Sequence, residues 1–271
     1  MLGSLFRAVP VGRLFGIPVL VMPAVLVLTI LVLAGATHAG EVGELVVLLG
    51  LLTVSLLAHE LGHALTARRM GLRVIDITIW PLGGMARMEG LYDRPSAEAP
   101  VALAGPLVNL ALAGGCALLP GPVALAGTGI NLVLGLGNLV PAFPLDGGRV
   151  LRAWLARRSP LTDATQAAVR VGGWAAVGLL LLSATLLDSI GLGLLLLGYV
   201  WFTGRMELMQ VILRTGRPPG LGTGEVFRRA FRGGDSGQEV HSQPEEPADP
   251  RVDELENFRG DLDEFFTGRR R

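Results

Sequence analysis

Lysine is missing from this 271-residue chain: all 23 basic residues are arginine, set against 23 acidic ones for a formal charge of zero. That bias fits a GC-rich, bacterial coding origin and says nothing about mechanism. The single cysteine, Cys116, excludes an internal disulfide, and its place within an apolar run argues for packing rather than thiol chemistry. Charge itself is scarce, at 17% of residues, while hydrophobic residues reach 51% and mean hydropathy is +0.53. These values lie well away from the soluble average and make lipid the expected solvent.

The apolar residues gather into six candidate spans: Ile17 to Ala36, Leu45 to Ala67, Pro100 to Leu119, Pro122 to Val140, Val171 to Leu187 and Ile190 to Phe202. The last two are short of the ~20 residues a span needs, which leaves a five-span count open. The first exceeds the ~7 to 15 residues of a signal-peptide core and is expected to be a retained span. Fold class is therefore an all-α polytopic membrane protein of about six transmembrane helices in residues 1–205. A polar, largely flexible cytoplasmic tail is expected over 206–271. Residues 204–271 carry 11 arginines and 13 acids, a balance that does not make a nucleic-acid-binding arm. Two tail stretches, Gly224 to Arg232 and Val252 to Phe266, have the pattern of short helices that could dock on a regulatory partner or on the membrane surface. Arginines precede the first span and fill 68–94, 149–170 and the residues from 205 onward, whereas the connections near 37–44, 120–121 and 188–189 hold none. The positive-inside rule then puts both termini on the cytoplasmic side of a multi-pass cell-membrane protein.

The chemistry sits in His59-Glu60-Leu61-Gly62-His63, towards the end of the second span and so nearer the cytoplasmic face. Helix periodicity puts residues four apart on one face, so both imidazoles can aim a ring nitrogen at one metal ion. Catalytic zinc usually has three protein ligands and one open position for water. Glu60 is placed to take a proton from that water and return it to a leaving amine. On a soluble helix the same five residues could be a solvated charged face. Here they follow the uncharged run Leu45 to Ala58, where ionisable groups are costly unless paired or liganded.

Two histidines need a third ligand, and the segment Asn138 to Arg149 offers Asp146. Pro141 and Pro144 interrupt a helix there, Gly147 and Gly148 permit close backbone approach, and broken backbone at membrane depth must line a cavity or be buried in protein. The competing role for Asp146 is to cap a following helix, Arg149 to Arg158. The ligand role is favoured because Asp76, Glu89, Asp93 and Glu98 lie in more polar surroundings.

Taken together, HELGH on the second span, Ala104-Gly105-Pro106 on the third, and Asn138-Leu139-Val140-Pro141 followed by Pro144-Leu145-Asp146-Gly147-Gly148-Arg149 give the chain a family likeness. It resembles the site-2 proteases, intramembrane zinc metalloproteases. The layout is similar to the compact six-span sporulation-factor and archaeal branch, without PDZ domains. The resemblance covers roughly residues 1–205. It implies one Zn2+ per chain held by His59, His63 and Asp146, with Glu60 as the catalytic carboxylate. It also implies that Asn138 holds the substrate backbone or oxyanion near the metal, although an interhelical hydrogen bond is an ordinary use of such an asparagine. The implied activity is regulated proteolysis, near the cytoplasmic side of the lipid bilayer, of single-span substrates. Anti-sigma factors, membrane-tethered regulators and signal-peptide remnants are such substrates. The paired nucleotide-sensing CBS domains of some relatives do not fit in 68 mostly polar tail residues.

Between the second and third spans, Val74 to Trp80 is rich in β-branched residues and Pro81-Leu82-Gly83-Gly84 breaks before Met85 to Met88, which predicts a short β-hairpin, and the resemblance implies that it is membrane-associated. Its edge could pair with an unwound substrate by strand addition. Two other function classes use the same residues: a non-hydrolytic metal sensor or transporter, and an inactive scaffold that captures membrane helices. Glu60 discriminates against both, since neither needs a proton carrier beside converging ligands.

Overall fold

The computed structural model describes residues 7–35, 39–81, 83–91, 94–186 and 189–231. Its elements are β1 (Val9–Leu14), β2 (Ile17–Val21), α1 (Pro23–Ala34), α2 (Ala39–Arg69), β3 (Arg73–Trp80), β4 (Gly83–Glu89), α3 (Pro95–Ala117), α4 (Pro122–Asn138), α5 (Asp146–Leu155), α6 (Leu161–Leu186), α7 (Ile190–Thr215) and α8 (Thr223–Phe231). Among the described residues, three stretches are long and apolar enough to cross a membrane: Glu41–Arg69, Ser96–Ala117 and Leu161–Thr185. α1 and α4 are apolar but shorter, and α7 carries Arg205, Glu207 and Arg214 in its second half. Leu125, Val133, Leu181 and Leu195 stand exposed on these helices, as lipid-facing side chains do and as a water-facing surface would not tolerate in such number.

The first expected span is corrected at its start. Ile17 to Val21 is strand β2, and helix begins only at Pro23, leaving a 12-residue helix where 20 residues of span were expected. An unbroken apolar run does not reveal its period, and here two features choose strand. Pro18 and Pro23 disfavour a continuous helix interior. Phe15 and Gly16 both take positive φ, the requirement of a two-residue hairpin loop, and so join β1 to β2 with Leu14 opposite Ile17.

The sheet order is β1-β2-β3-β4. β2 runs parallel to β3, pairing Val19, Leu20 and Val21 with Ile77, Thr78 and Ile79. The hairpin expected between the second and third spans is β3–β4, with Trp80 opposite Gly83, so it belongs to a four-stranded sheet rather than standing alone. Ile17, Ile77 and Ile79 bury against Ala64 of α2. Midway along β3, buried Asp76 accepts hydrogen bonds from the Arg87 guanidinium and from Thr78, and Arg87 holds its carboxyl below the usual carboxylate range.

Helix α2 ends at Arg68-Arg69, and Gly71 at φ 76° turns the chain into β3. Along α2, a Cβ on Gly62 would lie 2.9 Å from the Ala104 carbonyl oxygen, so α2 and α3 touch backbone to backbone, the small-residue packing that helices use in lipid. α4 approaches α3 in the same manner through Gly135 beside Leu110 and Pro106. The domain boundary expected at 205/206 falls inside α7, which continues to Thr215. The first of the two expected tail helices corresponds to α8, whose Val226 is buried with Leu155 of α5 and Ala164 and Ala167 of α6. The second, Val252 to Phe266, lies outside the described residues.

Candidate metal centre

His59 and His63 lie one helical turn apart on α2, as their spacing requires, and their rings meet edge to face with centroids 4.7 Å apart. That arrangement brings the two Nε2 atoms to 3.0 Å from each other. Asp146 comes from much later in the chain. After α4 the chain passes through the Pro141–Pro144 segment, and α5 starts at Asp146 itself. Leu145, not Asp146, occupies the N-cap position, and no side chain caps that end. The carboxylate is therefore not spent as a helix cap. Its Oδ2 stands 3.1 Å from His59 Nε2 and 3.2 Å from His63 Nε2. All three side chains are buried, at 3%, 7% and 7% exposure.

The opposite ring nitrogens decide what this triangle can hold. His63 Nδ1 lies 2.7 Å from the Val101 carbonyl oxygen, and His59 Nδ1 lies 2.5 Å from Asn109 Oδ1. Each oxygen is an acceptor, so each Nδ1 carries the hydrogen and each Nε2 presents a lone pair. Two imine nitrogens and a carboxylate oxygen within about van der Waals contact repel one another unless a cation lies among them. Among the described residues, this is the group of His, Cys, Asp and Glu side chains able to hold a metal ion. The donor set, N, N and O, suits zinc. In a tetrahedral site with bonds of about 2.0–2.1 Å the ligand atoms stand about 3.3 Å apart, close to the observed edges.

Two glycines make the space. A Cβ on Gly105 of α3 would lie 2.7 Å from His59 Nε2 and closer still to His63 Nε2. Gly105→Ala is accordingly expected to eliminate metal binding while leaving the helices intact. Elemental analysis of the purified variant, alongside its circular dichroism, checks this, and a full metal complement would refute it. Gly84 of β4 plays the matching part for Glu60, because a Cβ there would lie 2.5 Å from Glu60 Cγ. Glu60 is buried beside the two histidines on α2, and its Oε2 accepts a 2.9 Å hydrogen bond from the backbone N–H of Ala86 on β4. Sheet and helix thus meet at the carboxylate.

His59, Glu60, His63 and Asp146, the residues singled out from the sequence, converge. Asn138 does not join them by a hydrogen bond: at the end of α4 its amide donates to the Leu134 carbonyl of its own helix, 2.9 Å away. Asn109, Gly84 and the Ala86 N–H were not found by sequence reasoning. Asn109 had a signal available, since a polar amide midway along an apolar helix is expensive without a partner. The other two are backbone features visible only once β4 lies against α2.

A family model for Peptidase family M50 matches residues 47–125 and 119–180. The chain is 36% identical over 220 residues to Rip3 of Mycobacterium tuberculosis, covering 72% of this chain and 54% of Rip3. It is 32% identical over 218 residues to a zinc metalloprotease of Methanocaldococcus jannaschii, covering 75% of this chain and 61% of the relative. It thus spans little more than half the length of these relatives. The solved structure of the site-2 protease from Methanocaldococcus jannaschii superposes with a TM-score of 0.55 at 29% identity, over 74% of this chain and 95% of that one.

Proposed function

The chain belongs to peptidase family M50, the site-2 proteases, and from that premise we propose that it is an intramembrane zinc metalloendopeptidase that hydrolyses peptide bonds within the membrane segments of anchored proteins. The observation that carries the proposal is the buried triangle of His59 Nε2, His63 Nε2 and Asp146 Oδ2, with Glu60 beside it. Zinc held there supplies Lewis-acid activation of water and of the scissile carbonyl.

The protein's own residues do the rest. Glu60, held by the Ala86 N–H, takes one proton from the attacking water as its oxygen bonds to the carbonyl carbon. It delivers that proton to the amide nitrogen as the C–N bond breaks, leaving an amine and a carboxylic acid that keeps the water's second proton until it is released to solvent. Burial of the site by α2, α3 and α5 restricts access by bulk water. Among the described residues β4 pairs with a strand on one side only, β3, which leaves its other edge for an extended substrate strand next to Glu60. A helical substrate must be unwound there before its carbonyl is accessible. Asn138, at the end of α4, is assigned to steadying the substrate backbone or the oxyanion.

The apolar helices support a multi-pass arrangement of about six spans, with α1, α4 and α7 added to the three long ones. The arginines at the ends of α2, α5 and α7 support cytoplasmic termini and cleavage near the cytoplasmic side. Single-span proteins such as anti-sigma factors, tethered regulators or signal-peptide remnants are the proposed substrates, and the polar tail is the proposed site for a regulatory partner.

The test is cleavage of a single-span substrate in proteoliposomes by protein carrying about one zinc per chain. Stripping the metal with a chelator is expected to stop cleavage, and restoring one equivalent of zinc to recover it. Cleavage that continues in metal-free protein would overturn the proposal.

A further inference from the structure

We propose that Asn109, fixed in turn by Asn131 and Ser55, is a positioning residue that determines which nitrogen of His59 faces the metal. The inference rests on the metal-site reading above and concerns residues outside that ligand set. Val101, Gly105 and Asn109 follow one another at four-residue intervals along α3 and form a stripe facing α2. Val101 accepts from His63, Gly105 leaves room for both rings, and Asn109 accepts from His59.

An amide can present either end, and the structure shows what chooses. Asn109 is fully buried, and its Nδ2 donates to the Ser55 carbonyl at 3.2 Å and to Asn131 Oδ1 at 2.8 Å. Both its hydrogens are engaged, so Oδ1 turns to His59. Asn131, 3% exposed, is oriented the same way: its Nδ2 donates to Ser55 Oγ and to the Gly127 carbonyl, each at 2.9 Å, which leaves Oδ1 for Asn109. A flipped Asn109 would aim its N–H groups at His59 Nδ1, and the ring would then carry its proton on Nε2, where it opposes a metal. The chain Ser55–Asn131–Asn109–His59 therefore runs through α2, α4 and α3 and ends on one lone pair. His63 needs no such chain, because a carbonyl has no second end to present. Polar groups at this depth are costly, and ordering the tautomer of a ligand is a use commensurate with the cost.

The experiment compares zinc dissociation constants, by chelator competition on the full-length protein in detergent, for wild type, Asn109→Ala, Asn109→Asp and Asn131→Ala. Absorption spectra of the cobalt-substituted forms are recorded in parallel. Asn109→Ala is expected to weaken zinc about 10- to 100-fold and to shift the cobalt bands. Asn109→Asp keeps an oxygen against Nδ1 and is expected to stay well above the Ala variant. Zinc affinity and cobalt bands unchanged in Asn109→Ala would overturn the proposal, as would equal losses in the Ala and Asp variants, which point to packing alone. If Asn109→Ala is not recovered folded, Asn131→Ala carries the test, because it leaves the His59 partner in place and removes the group that orients it. A several-fold loss supports the proposal and wild-type affinity overturns it. Wild-type protein unable to bind zinc overturns the metal-site reading itself, a result separate from any difference among variants.

Discussion

Glu60→Gln is expected to lower cleavage by at least about 100- to 10,000-fold, the range for loss of a general acid/base, while zinc content stays near one per chain. The substitution is nearly isosteric. Its amide oxygen can still accept from the Ala86 N–H, and the close fit against Gly84 is kept, so neither the helix nor the sheet has cause to move. What disappears is a site able to accept a proton from water at neutral pH. Metal content by elemental analysis and turnover in proteoliposomes separate the two properties. Wild-type turnover in this variant would remove Glu60 from the chemistry. Loss of zinc as well would make it a structural support for the metal site.

The second large effect is expected away from the reacting atoms, at Arg152. This guanidinium, 1% exposed, lies on α5 six residues after Asp146. Its Nε donates to Glu98 Oε1 at 2.8 Å near the start of α3, a second nitrogen also reaches Glu98, and a third donates to Glu207 Oε1 of α7 at 2.5 Å. The Phe143 ring lies beneath it at 5.1 Å, and Thr203 of α7 donates to the Phe143 carbonyl. One cation therefore binds α3, α5 and α7 together behind the segment that carries Asp146. Arg152→Leu takes the cation from between two carboxylates shielded from water, a change worth about 3–5 kcal/mol of stability. A lower thermal midpoint in detergent, with weaker zinc binding, is the expected result. Combining Arg152→Leu with Glu98→Gln and Glu207→Gln is expected to recover part of the loss, because the carboxylates no longer need neutralising. A midpoint for Arg152→Leu equal to wild type would show that the ion pairs contribute nothing to the fold.

Local pattern carried much of this centre. His59, Glu60 and His63 are one turn of one helix, so their geometry follows from spacing alone, and Asp146 stood out as a carboxylate where proline and glycine break an apolar stretch. Its freedom from capping duty became visible only when α5 was seen to start at that residue. From apolar pattern alone β2 is indistinguishable from the start of a helix, because its pairing partner, β3, lies beyond α1 and α2, and a partner that remote leaves no mark on a local apolar run. Asn109 and Asn131 are legible only in part for a related reason: each is visible as an amide within an apolar helix, but the partner that gives it meaning lies on another helix.

The parallel pairing of β2 with β3 also imposes an order on biosynthesis. As the chain leaves the ribosome, Ile17 to Val21 emerges early, but its hydrogen-bonding complement does not exist until α1 and α2 have been made and Arg73 to Trp80 follows them. In a nascent chain α1 and α2 are therefore made while the N-terminal hairpin waits with one edge unmatched, a segment vulnerable to wrong partners during that interval. Only when β3 and then β4 arrive can the sheet close over α2, and the Glu60 carboxylate acquire its contact with the Ala86 N–H.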